Sequence, residues 1–505
     1  MDMESRARRA SRRIIITEAL MVIAVVITVI ILALLVSGYW VGSGFKVERQ
    51  GLLQLSSVPT GANVELDGES GWLQRTNLSK VLSSGEHTIV LTKDGYDSWS
   101  RTINIAEGLL YRVQYPRLFL QNRTKETVLA TPTAAFATVA PARNVMLLAN
   151  NTTTWTLLGI ESDKLDEKPV VLPEDFPFTT RKVSSSATSS TNANRASSSP
   201  DGFFTGTIVS AEWARDNEHL LLQLAEDGTT EWVLMNVKSP ENSINLTTTF
   251  RADFSTLRIA DHSGSSLLAV IDGDLRRIDI SARQLSAVLV PKVQDFDYYD
   301  STVIYSAASS ASAGSSVAGA STDSATSPSS AGSADSDRYE VGLLQLGGDS
   351  ATVLERTASP AKVAINKFYD DEYLTVLTGT QLTVHKKTDY TDFLSHELSF
   401  SPDYLKVGRG GEFITAYRDG HLVATADMEA RKVTEWQTSD TSFGWLDGSM
   451  VYSVLGGALT VYDFDGENPR ALTTNVSSHF PVTISADKWL YYFSDGSLVR
   501  EKIVE

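Results

Sequence analysis

Eight short apolar runs recur along this chain at near-regular intervals, and that pattern leaves few folds open to it. The runs are Val145–Ala149, Leu220–Leu224, Leu267–Ile271, Val303–Ala307, Tyr373–Leu377, Phe413–Tyr417, Met450–Val454 and Trp489–Phe493. A second run follows each, for instance Trp232–Val237, Leu275–Ile280, Leu459–Phe464 and Leu498–Ile503. Several pairs are joined by Asp227-Gly228, Asp272-Gly273, Asp419-Gly420, Gly456-Gly457 or Asp495-Gly496. Such dipeptides suit hairpin turns in which both residues take positive φ. Runs this short, bounded by turn residues, read as strands. A spacing of about 40 residues with several strands per unit is the period of propeller blades. Two intervals are longer, and each holds a low-complexity insertion, 184–199 and 307–336. Built mostly of Ser, Ala, Thr and Gly, these cannot bury enough apolar surface to offset ordering entropy, which predicts flexible surface loops. The last unit reaches Glu505 without room for an outer strand, and Lys125–Ala130 is placed to supply it. Residues 125–505 are therefore expected to form a β-propeller of seven or eight blades, with closure by the ends favouring eight.

An apolar or aromatic residue followed by an acidic turn precedes many of these runs. Examples are Trp213 to Asp216, Phe368 to Asp371, Trp445 to Asp447 and Ile484 to Asp487. Units of this kind resemble those of TolB-like and WD40-like propellers, and Val461–Thr473 is the stretch most similar to a TolB-type strand–turn–strand. The resemblance implies a fold and assigns no active-site residue.

The amino-terminal end points to a membrane. Residues 1–13 carry Arg6, Arg8, Arg9, Arg12 and Arg13 against Asp2 and Glu4. From Ala19 to Val36 no residue is charged, and with Ile14–Ile16 and the Tyr39–Trp40 pair the stretch is long enough to cross a bilayer of about 30 Å. Residues 14–41 are read as an uncleaved transmembrane signal anchor. Basic residues stay on the cytoplasmic side, so 1–13 form a cytoplasmic tail and the remainder is extracytoplasmic. Cleavage near Ser37–Gly38 or Gly42–Gly44 is the alternative.

Between the anchor and the repeats, residues 51–120 alternate short strands with turns. Pro59, Gly61, Ala62 and Val64 lead to Asp67-Gly68, and Gly85, His87, Gly95 and Tyr96 follow in order. This segment resembles the PEGA domain, although Thr60 and Ser84 stand where that family often has Glu and Pro. The resemblance implies a small, non-catalytic, extracellular β-sandwich. His87 is read as a packing residue at the start of a strand.

Composition narrows function by exclusion. Lys and Arg total 44 against 61 Asp and Glu, a net charge of −17. So acidic a chain is no general nucleic-acid binder, because counterion release needs a basic face. With no cysteine, thiolate metal sites, iron–sulfur clusters and cysteine nucleophiles are excluded. There is no phosphate-binding Gly-rich Lys loop, His-Glu-x-x-His pair or Gly-x-Ser-x-Gly elbow. Ser-x-x-Lys occurs at Ser43, Ser359 and Ser485 without its partner motifs. Asp463, Asp465 and Asn468 resemble a fragment of a calcium loop but lack its bidentate Glu, and the same residues are ordinary in a turn. Asp295, Asp297 and Asp300 could hold a cation or face a glycan, and are read as an acidic solvated turn. His385 and His396 are 11 residues apart, His421 and His479 fall in later units, and all four are read as structural. Trp213 and Trp445, at matching repeat positions, are read as core. Asn122, Asn151 and Asn245 begin glycosylation sequons.

The expectation is a mainly β, single-pass envelope protein of bacterial type that binds rather than catalyses. No catalytic, cofactor-binding or metal-ligating residue is assigned, and no cofactor is expected. The expected partner is an envelope protein engaged by the propeller. Adhesion to cell-wall or surface glycan is the alternative, and a propeller hydrolase comes third.

Overall fold

A computed structural model of the 505-residue chain describes residues 20–29, 39–41, 47–130, 134–150, 154–173, 176, 207–226, 228–309, 338–348, 351–418, 422–438 and 443–505. The chain divides into two compact units, residues 1–122 with 504–505, and residues 123–503.

In the first unit two four-stranded sheets carry the PEGA-like segment. One runs Glu69–Arg75, Asn63–Leu66, Gly85–Thr92, Trp99–Ile105; the other joins Tyr39–Val41, Val47–Leu55 and Leu78–Ser83, with Leu110–Val113 parallel to Val47–Leu55. Strict alternation in Trp99–Ile105 buries Trp99, Arg101, Ile103 and Ile105 and leaves the residues between them exposed. The buried set, with Leu53, Leu55, Val64, Ile89 and Leu91, is the core of a sandwich.

Residues 20–29 are helical, and Leu20, Met21, Val22 and Ile23 each keep more than half of their surface exposed. Among the described residues no helix is long and apolar enough to cross a membrane. Tyr39–Val41, expected at the far end of a helical span over 14–41, are instead extended and pair with Val47–Arg49. A helix through this region therefore stops before Tyr39. The tail 1–13 lies outside the described residues.

Among the described residues the second unit has eight four-stranded antiparallel sheets, the first seven of them meanders. Their first strands are Phe136–Val139, Thr207–Trp213, Phe254–Ile259, Val293–Tyr299, Lys362–Phe368, Tyr404–Val407, Phe443–Trp445 and Thr483–Ser485. The eighth sheet takes its outer strand, Lys125–Leu129, from the beginning of the unit. Each sheet is open, and packing proceeds face to face from one to the next. Leu147 and Trp155 of the first sheet meet Trp213, Leu220 and Val233 of the second. At the other end of the series Tyr491, Phe493 and Leu498 of the eighth pack on Met146, Leu148 and Leu158 of the first. The array is thus propeller-like, with the last sheet against the first.

This packing explains the apolar runs. Second strands such as Ser266–Ile271, Thr302–Ala308 and Trp489–Ser494 are buried along almost their whole length, because a neighbouring sheet covers each face. Strands covered on both faces lose the in–out alternation of a half-buried strand. Fourth strands such as Asp166–Val171 are mostly exposed. The acidic turns have a local cause. Asp216 Oδ1 accepts the amides of Glu218 and His219 at 2.8 and 3.0 Å, and Asp447 Oδ1 accepts those of Ser449 and Met450 at 2.7 Å each. These side chains close the turn between first and second strands.

The insertion 184–199 lies outside the described residues. Of 307–336, Ala307 and Ala308 finish the strand Thr302–Ala308, and 310–336 fall outside.

Candidate functional site

First strands adjoin between the second and third, the fourth and fifth, and the fifth and sixth sheets, and side chains along them form a wall. On the second, third and fourth sheets that wall is charged. Arg258 Nε lies 3.2 and 3.1 Å from the two Glu212 oxygens, and an Nη is 3.8 Å from Asp297. Asp297 Oδ2 also accepts the amide of Ile365 at 3.0 Å, and Asp295 Oδ2 accepts that of Val363 at 2.9 Å. Both carboxylates therefore bind the fourth sheet to the first strand of the fifth. This corrects the acidic-turn reading: Asp295 and Asp297 belong to the strand Val293–Tyr299, and only Asp300 lies in the turn after it. The alternation of Val293, Asp295 and Asp297 with Phe296 and Tyr298 was the available signal for a strand.

Enclosure by protein pushes the carboxyls of Glu212, Asp295 and Asp297 above the usual carboxylate range, despite Arg258 and the backbone amides. Burial opposes the charge on Arg258 as well, but Glu212 and Asp297 outweigh it and hold the guanidinium protonated. Yet the side chains of Glu212, Arg258 and Asp297 keep 29%, 40% and 21% of their surface. The wall is enclosed and still touched by water, so its electrostatics are weaker than in a dry core.

A second locus lies where the turns between first and second strands of the first, sixth and seventh sheets approach the start of the eighth. A cavity of about 360 Å³ is lined there by Thr138, Arg143, Arg409, Trp445, Asp447 and Tyr452, among others. Asp447 is engaged in its own turn, also accepting from Ser449 Oγ. Burial pushes the Tyr452 phenol above its ordinary value, so it stays protonated, and its oxygen faces the Val482 amide at 3.5 Å. Arg143 supplies a second guanidinium, and its carbonyl accepts from Ser485 Oγ at 2.6 Å, tying the first sheet to the eighth.

Two donors at this cavity stand apart. Arg409 is exposed and has no partner among the described residues. The Trp445 indole nitrogen is buried and has no hydrogen-bond acceptor. Trp213 occupies the matching repeat position and differs: it is buried, and its indole donates to Thr138 Oγ1 of the first sheet at 3.1 Å. The core reading thus fits Trp213, while half-buried Trp445 lines a cavity. Neither Arg409 nor Arg143 was singled out from sequence, because isolated turn arginines carry no motif.

Several of the remaining candidates hold local structure. His87 Nδ1 is 2.7 Å from Asp67, and its Nε2 is 2.8 Å from the Ser83 carbonyl. Burial lowers the His87 pKa, but these partners outweigh it and leave it raised, while the same contact lowers that of Asp67. The pair pins the Asp67-Gly68 hairpin. His385 is buried, stacked on Tyr390 at 4.1 Å and 2.9 Å from Asp392. His396 is 3.4 Å from Glu435, and His479 is exposed. His421 lies outside the described residues, as do Ser43 and Asn151. Asn468 donates to Asp463 at 2.8 Å, closing a turn where the sequence has the calcium-loop fragment. Among the described residues no three His, Asp or Glu side chains form a metal-binding group. Asn245 is buried, caps the helix Leu246–Phe250 through the Thr248 amide and donates to Glu231.

Residues 50–117 match the family model described as the PEGA domain. No curated protein sequence matches the chain. Among solved structures, the C-terminal WD40 domain of Sif2 is similar over 75% of this chain and 98% of its own, with 10% identity and a TM-score of 0.45. The β-propeller domain of Cps50 (Swd1) from Myceliophteria thermophila covers 76% of this chain and 100% of its own, at 9% identity and a TM-score of 0.38. Apo AztD from Citrobacter koseri covers 82% and 96%, at 9% identity and 0.36. The architecture itself rests on the strand pairing described above.

Proposed function

We propose that the chain is a membrane-tethered, extracytoplasmic scaffold of a bacterial-type envelope, and that its propeller-like unit, as an eight-bladed ring, binds a protein partner and catalyses nothing. One observation carries this reading. Glu212, Arg258, Asp295 and Asp297 are committed to holding strands together, while Arg409, at a cavity between strand turns, is exposed and has no partner among the described residues. A PEGA-type module beside such an array suits a spacer joined to a binding surface. Tethering is supported by the charge-free stretch 19–36 and by the exposed apolar side chains of residues 20–29. A glycan ligand has less behind it, since Trp99, Trp155, Trp213, Trp232 and Trp489 are buried and unavailable for stacking on sugars.

In-cell crosslinking of the full-length protein, followed by mass spectrometry, tests the reading. The expected result is one stoichiometric envelope protein attached to peptides from 123–503. Crosslinks within the chain alone, together with co-sedimentation on isolated wall material, would replace it with the glycan reading.

A further inference from the structure

We propose that the cavity bounded by Arg143, Arg409 and Trp445 is a carboxylate-binding site, and that its ligand is an acidic peptide segment of the partner protein. The partner is part of the scaffold reading above, whereas the site itself stands on the geometry of the cavity. Its lining includes the unpartnered guanidinium of Arg409, the guanidinium of Arg143, which is already engaged, and the Tyr452 phenol held protonated. Of the acceptors among the residues named, Thr138 already takes the Trp213 indole N–H, and Asp447 the amides of Ser449 and Met450 and the Ser449 hydroxyl.

The Trp445 N–H is buried without an acceptor, which is costly, and it meets a ligand oxygen only where binding turns the ring; the exposed donor of the cavity is Arg409. A free arginine offers the planar fork that suits a carboxylate. The rest of the protein sharpens the point. In a chain of net charge −17 an acidic ligand is repelled by most of the surface, so a donor cavity with two arginines is a local exception that selects where it lands. Tyr452 and Trp445 add apolar ring surface for the methylenes of a Glu or Asp side chain. Volume fits as well: about 360 Å³ accommodates one or two side chains and excludes a folded domain. The carboxylate can come from a side chain or from a chain terminus, and the test separates the two.

The experiment measures fluorescence anisotropy of labelled hexapeptides on the full-length protein in detergent micelles. Three probes are compared: Gly-Ser-Gly-Ser-Asp-Glu with an amidated end, Gly-Ser-Gly-Ser-Asn-Gln with a free carboxyl end, and the latter amidated. The expected result is binding of at least one carboxylate probe, at least about tenfold tighter than the amidated Asn-Gln control, since a charge-assisted hydrogen bond contributes about one decade or more of affinity. The Asp-Glu arm identifies a side-chain ligand, and the free-end arm a terminal one. Arg409→Gln is expected to weaken the preferred probe about tenfold, and Trp445→Phe, which keeps the ring and removes the N–H, by a smaller factor. The melting temperature of each variant shows that loss of binding is not loss of fold. Equal binding of all three probes, binding of none, or an unchanged affinity in Arg409→Gln overturns the site. Crosslinking of the Arg409→Gln protein separates this from the scaffold reading. A partner captured as in the parent, with no carboxylate preference, leaves the scaffold and removes the pocket. Carboxylate binding without any captured partner does the reverse.

Discussion

Along the first strands of the second to fourth sheets, Glu212, Arg258, Asp295 and Asp297 each have a partner across a sheet boundary; at the turns of the sixth and seventh sheets, Arg409 and the Trp445 indole have none. The residue chemistry is alike in the two places, and the difference lies in what surrounds it. Where first strands adjoin over several residues, each carboxylate meets the backbone amides of the next strand and is used up as a clamp. Phe443–Trp445 and Thr483–Ser485 are only three residues long, so neighbouring turns stand apart and leave a cavity. Charge is structural where first strands adjoin, and available at the turns that line the cavity.

The largest effect should come from breaking the clamp. Replacing Arg258 by Met leaves Glu212 and Asp297 without their counter-charge in an enclosed site. A loss of about 1–3 kcal/mol in denaturant unfolding is expected, below the value for a dry buried pair because water reaches the wall. Arg409→Gln should change stability by no more than about 0.5 kcal/mol, as for an exposed side chain with no partner. If the two variants were equally destabilised, the division of the wall into clamp and cavity would be wrong.

Next in size is a pH effect near the cavity. Glu412 follows the Arg409 turn, and burial, reinforced by Asp427 and Glu429, pushes its carboxyl up to about 8. An acid with a raised folded-state pKa is protonated in the folded protein over a range where the unfolded chain is ionised. Its favourable contribution is full below about 4.5 and is lost as pH climbs to about 8. Thermal melting between pH 5 and 9 should therefore show stability falling with pH, and Glu412→Gln should flatten the fall. A parallel pH slope in parent and variant would show that Glu412 is ionised throughout.

In the PEGA-like unit the Asp67–His87 contact makes a smaller pH-dependent contribution with two edges. The raised His87 pKa stabilises the folded unit below about 6.5, and that part is lost as pH rises through the raised value. The lowered Asp67 pKa stabilises it above about 3.8, and that part is lost as pH falls through the lowered value. Stability should peak between these limits, and Asp67→Asn should broaden and lower the peak. Hydrogen exchange of Thr88, whose amide donates to Asp67 at 2.8 Å, reports the site directly.

Much of the fold is readable from residues alone because its signals are local. Asp272-Gly273 and Asp495-Gly496 have positive φ at both positions, as their turn type requires, and the doubly covered second strands announce themselves as unbroken apolar runs. The missing outer strand of the eighth sheet is legible as a shortfall at one end and a spare strand, Lys125–Leu129, at the other. The cavity is not legible. Its named walls come from positions 138–143, 409 and 445–452, brought together only when the eighth sheet packs on the first. Turn residues carry no periodicity, so nothing in the order of residues marks Arg409 as different from any other exposed arginine. Asp295 and Asp297 were misplaced for the opposite reason: acidic residues near Asp300 look like part of its turn until strand pairing assigns them to the wall.

The finest test of the comparison uses two tryptophans at one repeat position. Trp213 donates across a sheet boundary to Thr138, whereas Trp445 lines the cavity with its N–H unmet. Phe in place of either keeps most of the ring and deletes the donor. Trp213→Phe loses a satisfied hydrogen bond and is expected to cost about 1 kcal/mol. Trp445→Phe removes a donor that has nothing to lose, so its stability should match the parent or slightly exceed it, since the cost of an unmet buried N–H disappears. Equilibrium unfolding of the two variants side by side measures the difference. A loss in Trp445→Phe equal to that in Trp213→Phe would mean that its indole already has an acceptor in solution, and that the cavity holds one donor fewer for a ligand.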